Sequence, residues 1–228
     1  MTIEAILWDF GGVFTTSPFE AFNHYEMRRG LPKDLIRTVN RTNPDSNAWA
    51  LLERGEIDSR TFDEKFLAES TALGHPLRGA EVLPLLGGEV RPRMVEALLI
   101  CKQHFKIGCI TNNVNHGRGP GMAPDSERAS RAAEVMQHFH AILESSKTGI
   151  RKPDPRIYLM MCERLGIAPK ACVYLDDLGI NCKPAAQLGM TAIKVVSEAQ
   201  ALADLEGVTG LKFQPAASPS QFAHEPSE

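Results

Sequence analysis

The chain has 228 residues and a formal net charge of −3, a length that suits one large domain or a core with a smaller inserted one. That balance leaves no electrostatic footprint for nucleic acid or an anionic membrane surface, and no apolar run reaches the roughly 18 residues of a membrane span. Hydrophobic residues make up 43 % of the chain and charged residues 23 %, so a sizeable core can be buried.

In chain order, Ile3 to Asp9 is an apolar run that closes on an acid and then on Gly11-Gly12. It reads as a buried strand leaving its sheet at a flexible turn. Residues 17–86 are strand-poor and read as helices over Phe19–Arg29, Pro32–Arg41, Asn47–Arg54 and Arg60–Ala72, with Asp58 or Ser59 as a cap for the last. About 70 residues exceed an ordinary crossover, so this stretch is expected to be a small helical cap over the site. The alternative is that its helices merely cover the sheet. Arg93 to Gln103 places Met94, Leu98 and Cys101 on one helical face, and Phe105 to Thr111 is a second strand ending in Asn112-Asn113. Gly117 to Asp125 is a Gly/Pro-rich loop expected to be mobile. Then follow a helix over Ser126–His138, a weaker strand over Phe139–Leu143 and a helix over Pro155–Leu165 stopped by Gly166. Ala171 to Leu175 is a fourth strand ending in Asp176-Asp177, Ile180–Leu188 a helix stopped by Gly189, and Met190 to Val196 a fifth strand.

Strands alternating with helices predict an α/β fold with a Rossmann-like, doubly wound parallel sheet. The expected division is a core of residues 1–16 and 87–212, a cap of residues 17–86 and a disordered tail of residues 213–228. The five cysteines form no C-x-x-C pair, and most sit in apolar runs, where they pack as small hydrophobes. With no basic-then-apolar leader at the start, the cytoplasm is the expected compartment.

In such sheets ligands bind beyond the carboxyl ends of the strands, where the polar residues of this chain fall. Asp9 alone can be a nucleophile, a metal ligand or a turn-capping acid. Thr111 offers a hydroxyl and Asn112 an amide to a phosphoryl oxygen, or else a turn in which Asn satisfies the backbone. Lys152, between Arg151 and Pro153, is either a directed ammonium or a solvated loop residue. Asp176 and Asp177 repel one another without a cation; with Asp9 they make an oxygen-rich cluster suited to Mg²⁺. Together these are the parts that phosphoryl transfer needs: nucleophile, oxyanion donor, cation and metal site.

Asp9-Phe10-Gly11-Gly12-Val13, Thr111-Asn112-Asn113, Lys152-Pro153-Asp154-Pro155 and Leu175-Asp176-Asp177 occur in the order of the four motifs of the haloacid dehalogenase superfamily. Their spacing resembles that of its members with a helical cap. Trp49 to Phe62 looks like those caps, and Tyr174 to Val195 resembles the phosphatase domain at the N-terminus of soluble epoxide hydrolases. The likeness covers roughly residues 3 to 196.

The resemblance implies that Asp9 attacks phosphorus and forms an aspartyl-phosphate. It implies that Asp9, the Gly11 carbonyl and Asp177 hold Mg²⁺, with Asp176 assisting directly or through water. Thr111, Asn112 and Lys152 would bind the phosphoryl group of a small phosphorylated substrate, and Asn181 would orient the metal loop.

Gly11 departs from the pattern, because phosphatases of this superfamily usually carry a second Asp there. A positioned acid–base contributes ~10²–10⁴-fold, so its loss removes about 3–5 kcal/mol of barrier lowering. Three readings stay open. The first is a phosphatase that uses a good leaving group or a substitute proton carrier such as Glu20, His24 or His116. The second is a 2-haloacid dehalogenase, whose halide leaves without a proton. The third is a non-catalytic phosphate- or partner-binding protein.

Overall fold

In a computed structural model, which describes residues 2–114, 122 and 125–213, the five apolar runs form one parallel sheet. Its strands are β1 (Ala5–Trp8), β2 (Lys106–Thr111), β3 (Ala141–Glu144), β4 (Cys172–Asp176) and β5 (Thr191–Lys194), in the order β3-β2-β1-β4-β5. Ala5 pairs with Lys106 on one side and Cys172 on the other, and Trp8 with Cys109 and Leu175. The chain winds outward from β1 in one direction and then, from β4, in the other. The β1–β4 seam is therefore the topological switch point, where such sheets bind ligands.

Side chains of a strand alternate between faces. Ile6 and Trp8 enter one apolar cluster, with Met94, Leu98 and Cys101 of α6 (Pro92–Lys102), Val135 of α7 (Ser126–Met136) and Leu205 of α11 (Glu198–Thr209). Ala5 and Leu7 enter the opposite one, with Ile157 and Met161 of α9 (Pro155–Leu165) and Ala185 of α10 (Gly179–Gln187). A short α8 (Ser145–Thr148) follows β3 directly.

Between β1 and α6 lie α1 (Pro18–Arg29), α2 (Leu35–Arg41), α3 (Ala48–Glu53), α4 (Ser59–Ala72) and α5 (Gly79–Val82), followed by a 3₁₀ turn over Leu83–Leu86. They enclose a third cluster around Phe22, Ile36, Leu52, Phe62 and Phe66, which Val114 of the core joins. The entering and leaving chains run side by side at the root of this helical cap, bridged antiparallel at Thr15 and Val90.

Local chemistry sets the helix ends. Asp58 accepts from Thr61 N at 2.8 Å and Asn47 from Ala50 N at 2.8 Å, as N-caps do. α2 starts at Leu35 rather than Pro32, because Asp34 takes a left-handed φ of 61°. The Glu26 carboxylate of α1 meets the exposed N–H groups instead, at 2.7 Å from Asp34 N and 2.9 Å from Ile36 N. No helix among the described residues is long and apolar enough to cross a membrane. The expected mobile loop over Gly117–Asp125, apart from Met122 and Asp125, and the tail beyond Phe213 lie outside the described residues.

Candidate active site

β1 delivers Asp9 to the carboxyl edge of the sheet, where its N–H is tied to the Leu175 carbonyl of β4 at 2.8 Å. Its Oδ1 accepts from Phe10 N at 2.7 Å. The same oxygen lies 2.7 Å from Lys152 Nζ, which is also 2.8 Å from Asp176 Oδ2. Lys152 is only 1 % exposed, so it is no solvated loop residue. Burial works against its ammonium, but Asp176 and Asp9 outweigh that and hold the Lys152 pKa up. The Asp9 carboxyl is pushed well above the usual range by burial, with Lys152 opposing and Asp176 and Asp177 adding to the rise.

Asp176 ends β4 fully buried, and protein donors take both of its oxygens. Leu178 N reaches Oδ1 at 2.8 Å, and Asn181 Nδ2 lies 3.0 Å and 3.1 Å from the two oxygens. The Tyr174 hydroxyl and Lys152 share Oδ2. Tyr174 is held in turn by the ring of Tyr158, which meets it edge-on at 5.1 Å. Asp176 thus fixes Lys152, while one of its oxygens also lies in reach of those of Asp9 and Asp177.

Asp177 is the freer acid. Burial, and then Asp176, push its pKa up to about 7. Its carboxylate lies over the turn after β1: a Cβ at Gly12 would come within 2.3 Å of Asp177 Oδ2, and Gly12 takes a φ of +73°. Only glycine lets the two loops approach this closely. Gly11 differs, since a Cβ there would meet nothing within 4 Å.

Oxygens of Asp9, Asp176 and Asp177 lie within 4.8 Å of one another. Three carboxylates face one ammonium, and two of them are driven toward protonation. A hard divalent cation with oxygen ligands fits that surplus of negative charge, and Asp9, Asp176 and Asp177 each offer an oxygen to it.

Thr111, 2 % exposed, ends β2 beside β1. Asn112 follows it, but its amide is not turned toward Asp9. Its Oδ1 accepts from Lys152 N at 2.8 Å, and its Nδ2 donates to Lys152 O at 3.0 Å and to Glu53 Oε2 at 3.3 Å. The expected side-chain amide donor to a phosphoryl group is therefore committed to clasping the Lys152 backbone. Glu20 and His24 sit exposed on α1, and His116 lies outside the described residues. Sequence reasoning missed Glu53 and Tyr174. The Tyr174 position, two residues before Asp176 on the same strand face, was the one available signal.

Residues 3–189 match the haloacid dehalogenase-like hydrolase family. The chain is 37 % identical to bifunctional epoxide hydrolase 2 of Rattus norvegicus over 98 % of this chain and 43 % of that protein. It is 30 % identical to the Mus musculus protein of the same name over 96 % of this chain and 41 % of the relative. It thus spans about two fifths of the length of these curated relatives. A phosphatase of Mycobacterium tuberculosis is 26 % identical over 86 % of this chain and 88 % of its own. Among solved structures, a haloacid dehalogenase family enzyme of Bacteroides thetaiotaomicron, in complex with magnesium and inorganic phosphate, aligns with a TM-score of 0.57 at 18 % identity. That alignment covers 86 % of this chain and 96 % of the other. L-2-haloacid dehalogenase of Xanthobacter autotrophicus aligns with a TM-score of 0.57 at 16 % identity, over 94 % and 85 % of the two chains. At these identities the structural likeness speaks for the fold alone.

Proposed function

The chain belongs to the haloacid dehalogenase-like hydrolases, and we propose that within them it is a Mg²⁺-dependent phosphatase of small phosphate esters. The observation that carries this reading is the Asp9 carboxylate at the switch point, gripped through Oδ1 by Lys152 and Phe10 N. That grip leaves Oδ2 as the reacting oxygen. Asp9 Oδ2 attacks phosphorus; the new O–P bond forms as the bond to the leaving oxygen breaks, and the leaving group departs with the electron pair. Water then attacks the phosphorus of the aspartyl-phosphate, loses its proton to solvent, and releases inorganic phosphate and Asp9.

Lys152 opposes the rise that burial imposes on the Asp9 carboxyl and balances the charge of the transferring group. The Thr111 hydroxyl and the main chain at Asn112 take phosphoryl oxygens. Asp176, Tyr174 and Asn181 act through Lys152 by fixing its ammonium. Mg²⁺, when held by Asp9, Asp177 and the Gly11 carbonyl, supplies neutralising charge to the phosphoryl oxygens. The likeness to the Mycobacterium tuberculosis phosphatase supports the same chemistry.

Gly11 limits the substrate. Glycine at this position leaves no acid side chain two residues after Asp9. That favours a substrate whose leaving oxygen departs as an anion, such as an acyl phosphate or a sugar 1-phosphate, unless a substitute carrier such as His116 supplies the proton. All five cysteines are buried and unpaired, which fits a reducing compartment such as the cytoplasm.

The test is Mg²⁺-dependent release of phosphate from an activated aryl phosphate, with loss of that release in Asp9→Asn. Undiminished activity in that variant overturns the nucleophile. Chloride release from 2-chloropropionate without metal would replace the phosphatase by a dehalogenase, the other reading that Gly11 allows.

A further inference from the structure

Glu53 ends α3 in the cap, is 8 % exposed, and sits far along the sequence from every motif residue. Its oxygens nevertheless collect donors from both parts of the molecule. Trp49 Nε1 reaches Oε1 at 3.0 Å from within the same helix. Arg151 Nε reaches Oε2 at 2.5 Å and Asn112 Nδ2 reaches it at 3.3 Å; both of these belong to the core. Arg151 is also drawn to the cap by a second contact, from Nη1 to the Pro44 carbonyl at 3.0 Å. The neighbouring turn of the cap rests directly on the core: a Cβ at Gly55 would come within 2.7 Å of the Ser146 carbonyl oxygen.

The two core residues that Glu53 holds both flank Lys152. Arg151 precedes it in sequence, and Asn112 clasps its N–H and its carbonyl at 2.8 Å and 3.0 Å. A continuous chain of polar contacts thus runs from the cap carboxylate, through Asn112 and Arg151, to the Lys152 backbone. From there the buried ammonium reaches Asp9 and Asp176. A partly buried ion pair such as this one contributes little net stability. Its geometry, however, fixes whatever its partners hold.

We infer that Glu53 is a positioning residue through which the seated cap sets Lys152 against Asp9. The inference rests on the phosphatase reading of the site. With the cap seated, the Lys152 loop is clamped and its ammonium meets the reacting oxygens; with the contact broken, that loop loses its fixed register. Substrate capture under the cap and alignment of the cation are then one event, carried by one carboxylate.

The experiment compares the wild-type chain with E53Q and with the double variant E53Q/R151Q, which removes both charges and leaves neither unpaired. Thermal midpoint, steady-state kinetics on an aryl phosphate with Mg²⁺, and amide hydrogen exchange across residues 149–154 are measured together. The double variant is expected to melt close to wild type. Its kcat should fall roughly 10–100-fold, as misplacement of a reacting group does, with KM nearly unchanged. The Lys152 amide, which Asn112 protects, should exchange faster in both variants. A double variant of native stability that turns over at the wild-type kcat, or with unchanged exchange over residues 149–154, overturns the proposal. If the wild-type chain releases no phosphate, the phosphatase reading is what has failed. The exchange comparison then decides alone whether Glu53 sets the Lys152 loop.

Discussion

Glu26 in the cap and Asp9 in the core are both buried acids, 1 % and 8 % exposed, yet their surroundings differ in kind. The two oxygens of Glu26 each meet a backbone N–H, at Asp34 and Ile36, where the start of α2 has none of its usual cap. Asp63 does the same for Ala80 N at 2.9 Å, with Arg78 on its other oxygen. Asp9 shares a single ammonium with Asp176 and lies within reach of a third carboxylate. An acid matched by donors holds a fold together. Acids in surplus over donors, at the place where parallel strands end, are poised for a cation and a reaction. Burial alone therefore does not mark the site; the local balance of charge does.

Adding the missing acid tests that balance with the largest expected effect. Because Gly11 faces open space, Gly11→Asp should fold and supply a proton to the leaving oxygen. Turnover of an alkyl phosphate, a poor leaving group, is expected to rise ~10²–10⁴-fold. Turnover of an aryl phosphate should change far less. A parallel rise for both substrates, or none for either, would show that the vacant position does not reach the leaving group.

Removing the cation should cost stability as well as rate. Lys152→Met leaves Asp9 and Asp176 buried without their shared ammonium. The expected loss is about 3 kcal/mol, read from urea denaturation, together with loss of phosphate release. Glu26→Gln is the matched change in the cap. It is expected to cost about 1–2 kcal/mol, because one of two backbone donors keeps a carbonyl acceptor, and to leave turnover intact. Equal stability losses, or an equal loss of turnover, would erase the distinction between the two regions.

The strands and the helices beside them were legible because their ends carry local chemistry. α9 spans Pro155–Leu165 as expected, with Asp154 accepting from Arg156 N at 2.9 Å and Gly166 at a φ of +65°. α11 was not read, although Ser197 accepts from Gln200 N at 3.2 Å and Gln200 returns a bond to Val196 N at 2.9 Å. Its spacing of Ser and Gln is that of a capping box, but Ala201, Leu202 and Leu205 make only a thin apolar stripe. The site residues were legible by order and type, not by orientation. Lys152 could be read as a directed ammonium or a solvated loop residue, and only the assembled sheet shows it drawn inward between Asp9 and Asp176. The turn of Asn112 toward Lys152, and the reach of Glu53 across to the core, are tertiary facts with no local signature. Glu53 stands in the run Glu53-Arg54-Gly55-Glu56, where one acid looks like the other.

The surplus of carboxylates should also appear in the pH dependence of stability, as the smallest effect. The Asp177 pKa rises from 3.8 to about 7 in the fold. Unfolded chains give up that proton near the lower value, while the folded chain holds it until the higher one. Between them the folded state binds more protons, so without metal the stability falls as pH rises from about 4 to about 7. Asp177 is partly open to solvent, so about 1 kcal/mol is the expected size after screening. Asp177→Asn should flatten that fall. Mg²⁺ should reverse it, because the cation binds the ionised carboxylate and its stabilisation grows with pH over the same window. Thermal midpoints between pH 5 and pH 8, with chelator and with Mg²⁺, decide this. If the two curves run parallel, Asp177 takes no part in holding a metal, and the site is balanced by its lysine alone, as Glu26 is balanced by its backbone donors.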